Sequence, residues 1–176
     1  MRASSVHQGP RLEPPTTQVH ASYVTAITEF QAEGRHADLD PHGLPDPATF
    51  GAHVDALVAR ADPEAVRPPG YVPETVLWWV YGQEFLGRLS IRHYLTPSLE
   101  RVGGHIGYEV RPLARRRGHA SAMVRSGLPI AAGLGIDPAL VTCDVANTAS
   151  RLVIEHAGGQ LDVPHGATLR FWVPTR

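Results

Sequence analysis

Residues 104–133 are the stretch that most limits what this chain can fold into. From Gly104 to Val110, Ile106, Tyr108 and Val110 alternate with His105, Gly107 and Glu109, the period of two that lets a strand present one face to a core. Pro112 closes that strand, because proline cannot donate to a ladder. Beyond Gly118 the period changes: Ala120, Met123, Val124, Leu128 and Ala131 recur at helical spacing as far as Gly133, in spite of Gly127 and Pro129. A strand therefore runs into a helix through an arginine- and glycine-rich loop, Arg115-Arg116-Arg117-Gly118-His119-Ala120.

Such a junction has a chemical use. The first N–H groups of a helix lack partners, and the positive end of the helix dipole stands behind them. Gly118 has no Cβ to hold a bulky anion away, and Ala120 is the next smallest choice at a second close approach. A phosphate or pyrophosphate suits this loop; the plain alternative is a strand-to-helix turn with solvated arginines. No Gly-Lys-Ser/Thr follows, and Gly-x-Gly-x-x-Gly is absent, so neither the Walker loop nor the dinucleotide fingerprint applies.

Arg115-x-x-Gly118-x-Ala120, preceded by Val110-x-Pro112, resembles motif A of the GNAT superfamily of N-acetyltransferases, whose loop grips the pyrophosphate of acetyl-CoA. Asn147-x-x-Ser150-Arg151, followed by Glu155-His156-Ala157-Gly158-Gly159, resembles that superfamily's second coenzyme A segment. Together the blocks cover the chain from about Val76 onward. The resemblance implies an α/β (α+β layered) acetyltransferase fold, with a mixed, mostly antiparallel sheet and helices on both faces. In that fold the strands around Gly104 and Ala139 splay apart. It also implies acetyl-CoA as co-substrate, held by the backbone of Tyr108 and Val110, by Arg115, Arg116, Arg117, Gly118, His119, Ala120 and Ser121, and by Asn147 and Ser150.

The rest of the chain fits one domain. Residues 1–15, with three prolines, read as a loose arm with an edge strand near Gln8 to Glu13, and residues 16–176 as the acetyltransferase domain. Val19, Tyr23, Ile27 and Phe30 make an amphipathic helix stopped at Gly34. A second helix begins near Asp46 and carries Phe50, Val54, Leu57 and Val58 on one face. Thr75 to Tyr81 and Phe85 to Leu95 form a hairpin about Gly82-Gln83, followed by an irregular loop. Ala139 to Asp144 is a strand, and a helix from Asn147 to His156 turns Ala149, Leu152 and Val153 inward. Two closing strands follow around Gly166.

Formal charge is −1, and the basic residues are all arginine. No global field draws the chain to nucleic acid or membrane, and three arginines beside one helix start suit a pyrophosphate better than a duplex. Cys143 is the single cysteine, which excludes an internal disulfide and suits a reducing compartment. With no signal pattern and no bilayer-length apolar run, the chain reads as cytoplasmic. No His/Cys/Asp spacing suggests a metal. A homodimer is left open.

Acetyl transfer to an amine needs a base for the ammonium proton and an acid for the departing thiolate. Glu109, on a strand expected to be central, is the first candidate base; His105 on the same face and Asp144 at the end of the next strand are alternatives. Superfamily members usually carry a tyrosine acid where this chain has Ile154, and Ser150 is the nearest substitute. Cys143 reads as a core thiol. For the acceptor, Glu29, Glu33, Asp38, Asp40 and Asp46 suggest an acidic rim for a small cationic amine, with one of Trp78 and Trp79, assigned as Trp79, in the cleft. Length and layout are similar to aminoglycoside 2′-N-acetyltransferases of the kasugamycin-modifying kind. The alternatives are a protein or peptide amino terminus and a non-catalytic acyl-CoA-binding module.

Overall fold

The computed structural model describes residues 9–176, so most of the expected N-terminal arm lies outside the described residues. Seven strands make one sheet in the order β1-β2-β3-β4-β5-β7-β6: β1 (Arg11–Glu13), β2 (Glu74–Tyr81), β3 (Glu84–Arg92), β4 (Ile106–Val110), β5 (Ala139–Asp144), β6 (Gln160–Leu161) and β7 (Thr168–Val173). All neighbours are antiparallel except β4 and β5. The expected edge strand is β1, which pairs Leu12 with Trp79.

Among the described residues there are five α-helices, α1 (His20–Ala32), α2 (Pro47–Ala59), α3 (Pro97–Arg101), α4 (His119–Gly133) and α5 (Thr148–His156), and the four longer ones cover both faces. Asp46 caps α2 through Oδ2, which accepts the Thr49 N–H at 2.8 Å. The loop expected to be irregular contains α3, which Thr96 caps and Pro97 opens, the fixed φ of proline suiting a first helical position. Two helical faces differ from expectation. Val58 of α2 is half exposed, and in α5 Ile154 is fully buried while Leu152 and Ala149 face outward. Nine residues give α5 only one buried contact line, and Ile154 takes it against Gly159, where a Cβ would stand 2.7 Å from Ile154 Cγ2.

Alternation on the strands separates two cores. On one face Leu77, Trp79, Leu89, Ile91, Ile106 and Val141 pack under Met123, Val124 and Leu128 of α4. On the other, Val76, Trp78, Val80 and Phe85 pack under Tyr23, Ile27 and Phe30 of α1 and Phe50, Val54 and Leu57 of α2. Each such side chain contributes about 1.5–3 kcal/mol on burial. Gly127 lets α4 lie close to β3: a Cβ there would come within 2.7 Å of Leu89 Cδ1. That contact explains a glycine inside a helix.

The parallel pair positions the site. β4 and β5 share a single register pair, Ile106 with Val141. Before it, the His105 N–H donates to Leu140 O at 2.7 Å, and His105 Nδ1 accepts the Leu140 N–H at 2.9 Å. Beyond it the ladder ends and the strands diverge. Residues 107–110 are left with one backbone edge toward an opening.

Candidate active site

The opening is a cleft of about 680 Å³ between the β4 edge, the 115–121 loop and the start of α5. Gly118 has φ +80°, and nothing lies within 4 Å of where its Cβ would be, so the approach to the α4 N-terminus is clear. Arg116, also left-handed with φ +62°, lines the cleft beside it. Arg115 is held from the far side. Its Nη1 and Nη2 donate to the two carboxylate oxygens of Glu33 at 2.8 and 2.7 Å, and its Nε donates to Val110 O at 3.2 Å. His119, Ala120 and Ser121 complete this wall.

On the other wall Asn147 Oδ1 accepts the Ser150 N–H at 3.0 Å, capping α5 and fixing Ser150 at its first turn. Ser150 Oγ lies 2.7 Å from the Tyr108 hydroxyl, which reaches across from β4. Burial pushes the Tyr108 phenol up to about 12, against the lowering influence of the Ser150 bond, so it stays protonated at neutral pH.

Glu109 lines the same cleft, its side chain 8% exposed. Arg35 Nη2 reaches Oε2 at 2.5 Å, His36 Nε2 reaches Oε1 at 2.7 Å, and Arg88 Nε stands 3.5 Å from Oε1. Burial alone would raise this carboxyl. The His36 hydrogen bond and the charges of Arg88, His36 and Arg35 together outweigh burial and hold it below its ordinary value. Arg35 and His36 follow the α1 stop at Gly34, and His36 itself is left-handed at φ +53°. Both pack on Phe30, Arg35 over the ring and His36 edge-on, which aims them at Glu109.

Of the residues singled out from sequence, Tyr108, Glu109, Val110, Arg115, Arg116, Gly118, His119, Ala120, Ser121, Asn147, Ser150 and Glu33 line this cleft. The others do not. Arg117 is exposed outside it. His105 is occupied with the backbone of Leu140. Asp144 accepts the Ala146 N–H at 2.7 Å in a local turn. Trp79 is buried beneath α4 and donates Nε1–H to His119 Nδ1 at 3.2 Å, so it supports the loop from the core and cannot touch an acceptor.

The acidic rim also changes character. Glu29 is bound by Arg111 at 2.9 and 2.6 Å and ties α1 to the segment after β4. Glu33 serves Arg115, Asp46 caps α2, and Asp40 accepts the His42 N–H. Asp38 is exposed. Sequence reasoning missed Arg35, His36 and Arg88. The Gly34 helix stop followed at once by Arg-His was the available signal; the pairing of Arg88 with Glu109 depends on a strand register that sequence does not fix. Among the described residues no helix is long and apolar enough to cross a membrane, and no group of three metal-ligating side chains occurs.

The half-open parallel pair in a mostly antiparallel sheet thus sets an anion-ready loop on one wall opposite a hydroxyl pair on the other. A model of the acetyltransferase (GNAT) domain family matches residues 70–160, more than half of the chain. The chain belongs to the GNAT acetyltransferase family and is an N-acetyltransferase. Among solved structures it is similar to Mycobacterium smegmatis RimJ in complex with CoA-disulfide, at 19% identity and TM-score 0.66 over 93% of this chain and 80% of that one. RimL, a ribosomal-protein alpha-N-acetyltransferase in complex with coenzyme A, gives 17% identity and TM-score 0.63 over 95% of this chain and 94% of that one. The microcin self-immunity acetyltransferase MccE, with acetyl-CoA and AMP, gives 11% and 0.60 over 95% and 91%. At these identities the likeness speaks to the fold. No curated protein gives a significant sequence match.

Proposed function

We propose that this enzyme moves an acetyl group from acetyl-CoA to the amino terminus of a peptide or protein, with Glu109 as base and Ser150 as acid. The observation that carries this reading is that Glu109 and the Tyr108–Ser150 pair line one cleft with the 115–121 loop. The residues present fit the co-substrate. Open space over Gly118 and the α4 N-terminus suits a pyrophosphate, and the free backbone edge of residues 107–110 suits the amides of an extended pantetheine arm. Arg115, Arg116 and Asn147 complete that binding surface. Acetyl-CoA, when bound, supplies an activated acetyl thioester.

Glu109 accepts the proton that the amine must lose. A carboxylate offers about four lone-pair sites; Arg35, His36 and the longer Arg88 contact occupy three, which leaves capacity for the amine or an intervening water. The Val110 N–H polarises the acetyl carbonyl by analogy with other oxyanion donors. As the N–C bond forms and the C–S bond breaks, Ser150 gives the departing sulfur a proton and draws one from Tyr108, and water returns a proton to Tyr108 before the next turnover. Ile154 is buried and takes no part.

The acceptor reading rests on charge. With Glu29 and Glu33 neutralised by Arg111 and Arg115, little free acid remains for a polycation. The similarity to RimL, a ribosomal-protein alpha-N-acetyltransferase, supports a peptide acceptor. A small aminoglycoside-like amine such as kasugamycin is the second reading, favoured by the exposed Asp38. Calorimetry with acetyl-CoA should show binding. Acetyl-CoA consumption against peptides, kasugamycin, other aminoglycosides and polyamines, with product masses, decides the acceptor; turnover of kasugamycin without any peptide would reverse the order.

A further inference from the structure

Beside Glu109, on the sheet face turned away from α4, the floor is basic. Side chains two apart on a strand share a face, and the register sets Arg88 against Glu109 and Ser90 against Gly107. Arg88, Ser90, Arg92, His105, Gly107 and Glu109 therefore form one surface. A separate cavity of about 300 Å³ opens on it, lined by Arg60, Arg88, Arg92 and Glu74.

Arg88 joins this cavity to the proposed base, its Nε being 3.5 Å from Glu109 Oε1. Glu74 is the single acid of the lining and already holds Arg60 at 2.9 Å. Three guanidinium groups against one carboxylate leave the cavity net positive. Arg92 is fixed in place, its Nη1 donating to Gly103 O and Gly104 O at 3.1 and 3.0 Å. Its Nη2 and both terminal nitrogens of Arg88 have no protein acceptor among the described residues.

These guanidinium donors are left to solvent, not buried unpaired, and the partner that engages such donors most strongly is a carboxylate or similar anion. We propose that this cavity is an anion subsite of the acceptor site, and that the acceptor is an amine carrying a carboxylate within reach of Arg88 and Arg92. On the preceding reading this is a peptide with an acidic residue among its first few positions. Repulsion by the same arginines disfavours polycations.

The test uses the purified enzyme, acetyl-CoA and peptides that share an N-terminal residue but carry Asp/Glu, Asn/Gln or Lys/Arg next to it. The acidic peptides should show kcat/KM at least tenfold above the neutral ones, mainly through KM, and the basic peptides should be slowest. The advantage should shrink as salt is raised. In Arg88→Gln with Arg92→Gln the acidic-to-neutral ratio should fall toward one. Arg60→Gln, at a half-exposed side chain, should lower it in part and serves if the double variant does not fold. Equal rates for acidic and neutral peptides, or a ratio that survives these substitutions, would overturn the subsite. If no peptide reacts while acetyl-CoA still binds, the peptide reading has failed, and small amines with and without a carboxylate decide the subsite. A preference for carboxylate-bearing amines supports it; a preference for polyamines, or no turnover of any amine, removes it.

Discussion

The Tyr108 hydroxyl on β4 lies 2.7 Å from Ser150 Oγ on α5, bridging the gap that opens where the parallel ladder stops. Two hydroxyls so placed form a short chain in which one can hand its proton on and be reprotonated by the other. Tyr108 keeps its proton through neutral pH because burial pushes it up to about 12. On the proposed mechanism this pair takes the part for which the family resemblance implied a tyrosine at the Ile154 position. Ser150→Ala should lower kcat by about 10²-fold, the lower end of what a positioned acid contributes. Tyr108→Phe should cost less, about tenfold on the same scale, since Ser150 would remain. Single-turnover rates check both, and an unchanged kcat in Ser150→Ala would mean that solvent protonates the sulfur.

Glu109 gives a pH prediction with a definite sign. Its folded value is depressed, so it is ionised above the ordinary carboxylate range near 4.3 and becomes protonated only below it. The acid limb of kcat/KM assigned to this group should therefore fall below that range. The stability it contributes should be lost as pH drops from its unfolded toward its folded value. Removing the imidazole in His36→Ala takes away a cause of the depression and leaves burial, so the limb should move to higher pH. Glu109→Gln should lower kcat/KM by about 10²–10³-fold and abolish that limb. A pH–rate profile in which His36→Ala leaves the limb in place would exclude Glu109 as the titrating base.

The strand-to-helix junction and the second block were legible because local period and glycine chemistry determine them: the helix does begin just after Gly118, and a short helix does follow Asn147. The two-faced sheet followed from alternation. What sequence could not show was partnership across distance. Glu29 and Glu33 read as free acids, yet Arg111 and Arg115, 82 residues away in each case, neutralise them. Trp79 was assigned to the acceptor because one of two adjacent tryptophans must face each side. Which face is the open one depends on where α4 docks, and that docking rests on Gly127 over Leu89.

The pair between Glu29 and Arg111 should matter for stability more than for chemistry. Both side chains are about 15% exposed, at 14% and 16%, and Arg111 also donates to Ser22 Oγ at 3.0 Å. Glu29→Ala strands a guanidinium between α1 and the loop after β4. Breaking such a pair costs on the order of 3 kcal/mol, a melting-temperature loss of about 6–12 °C for a domain of this size. The double variant Glu29→Met/Arg111→Met should recover much of that loss, because no charge is then left unpaired. Thermal denaturation by circular dichroism measures both.

Coenzyme A affinity should depend on Gly118 through space and on Arg115 and Arg116 through charge. At φ +80° an L side chain costs about 1–2 kcal/mol in backbone strain. The open space above Gly118 means that a valine there would meet no protein atom at its Cβ, only whatever lies against the helix start. Gly118→Val should therefore fold, melt a few degrees lower and bind acetyl-CoA at least tenfold more weakly. Arg116→Ala should weaken binding without lowering the melting temperature, because no ion pair or hydrogen bond of Arg116 occurs among the described residues. Arg115→Ala is different: it also releases Glu33, whose carboxyl the Arg115 hydrogen bond holds below its ordinary value. A free carboxylate at the cleft mouth repels phosphate, so Arg115→Ala should weaken binding more than Arg116→Ala, and adding Glu33→Gln should restore part of the difference. Calorimetric titrations of the four variants check the order, and equal affinities for Arg115→Ala with and without Glu33→Gln would show that Glu33 exerts no such repulsion.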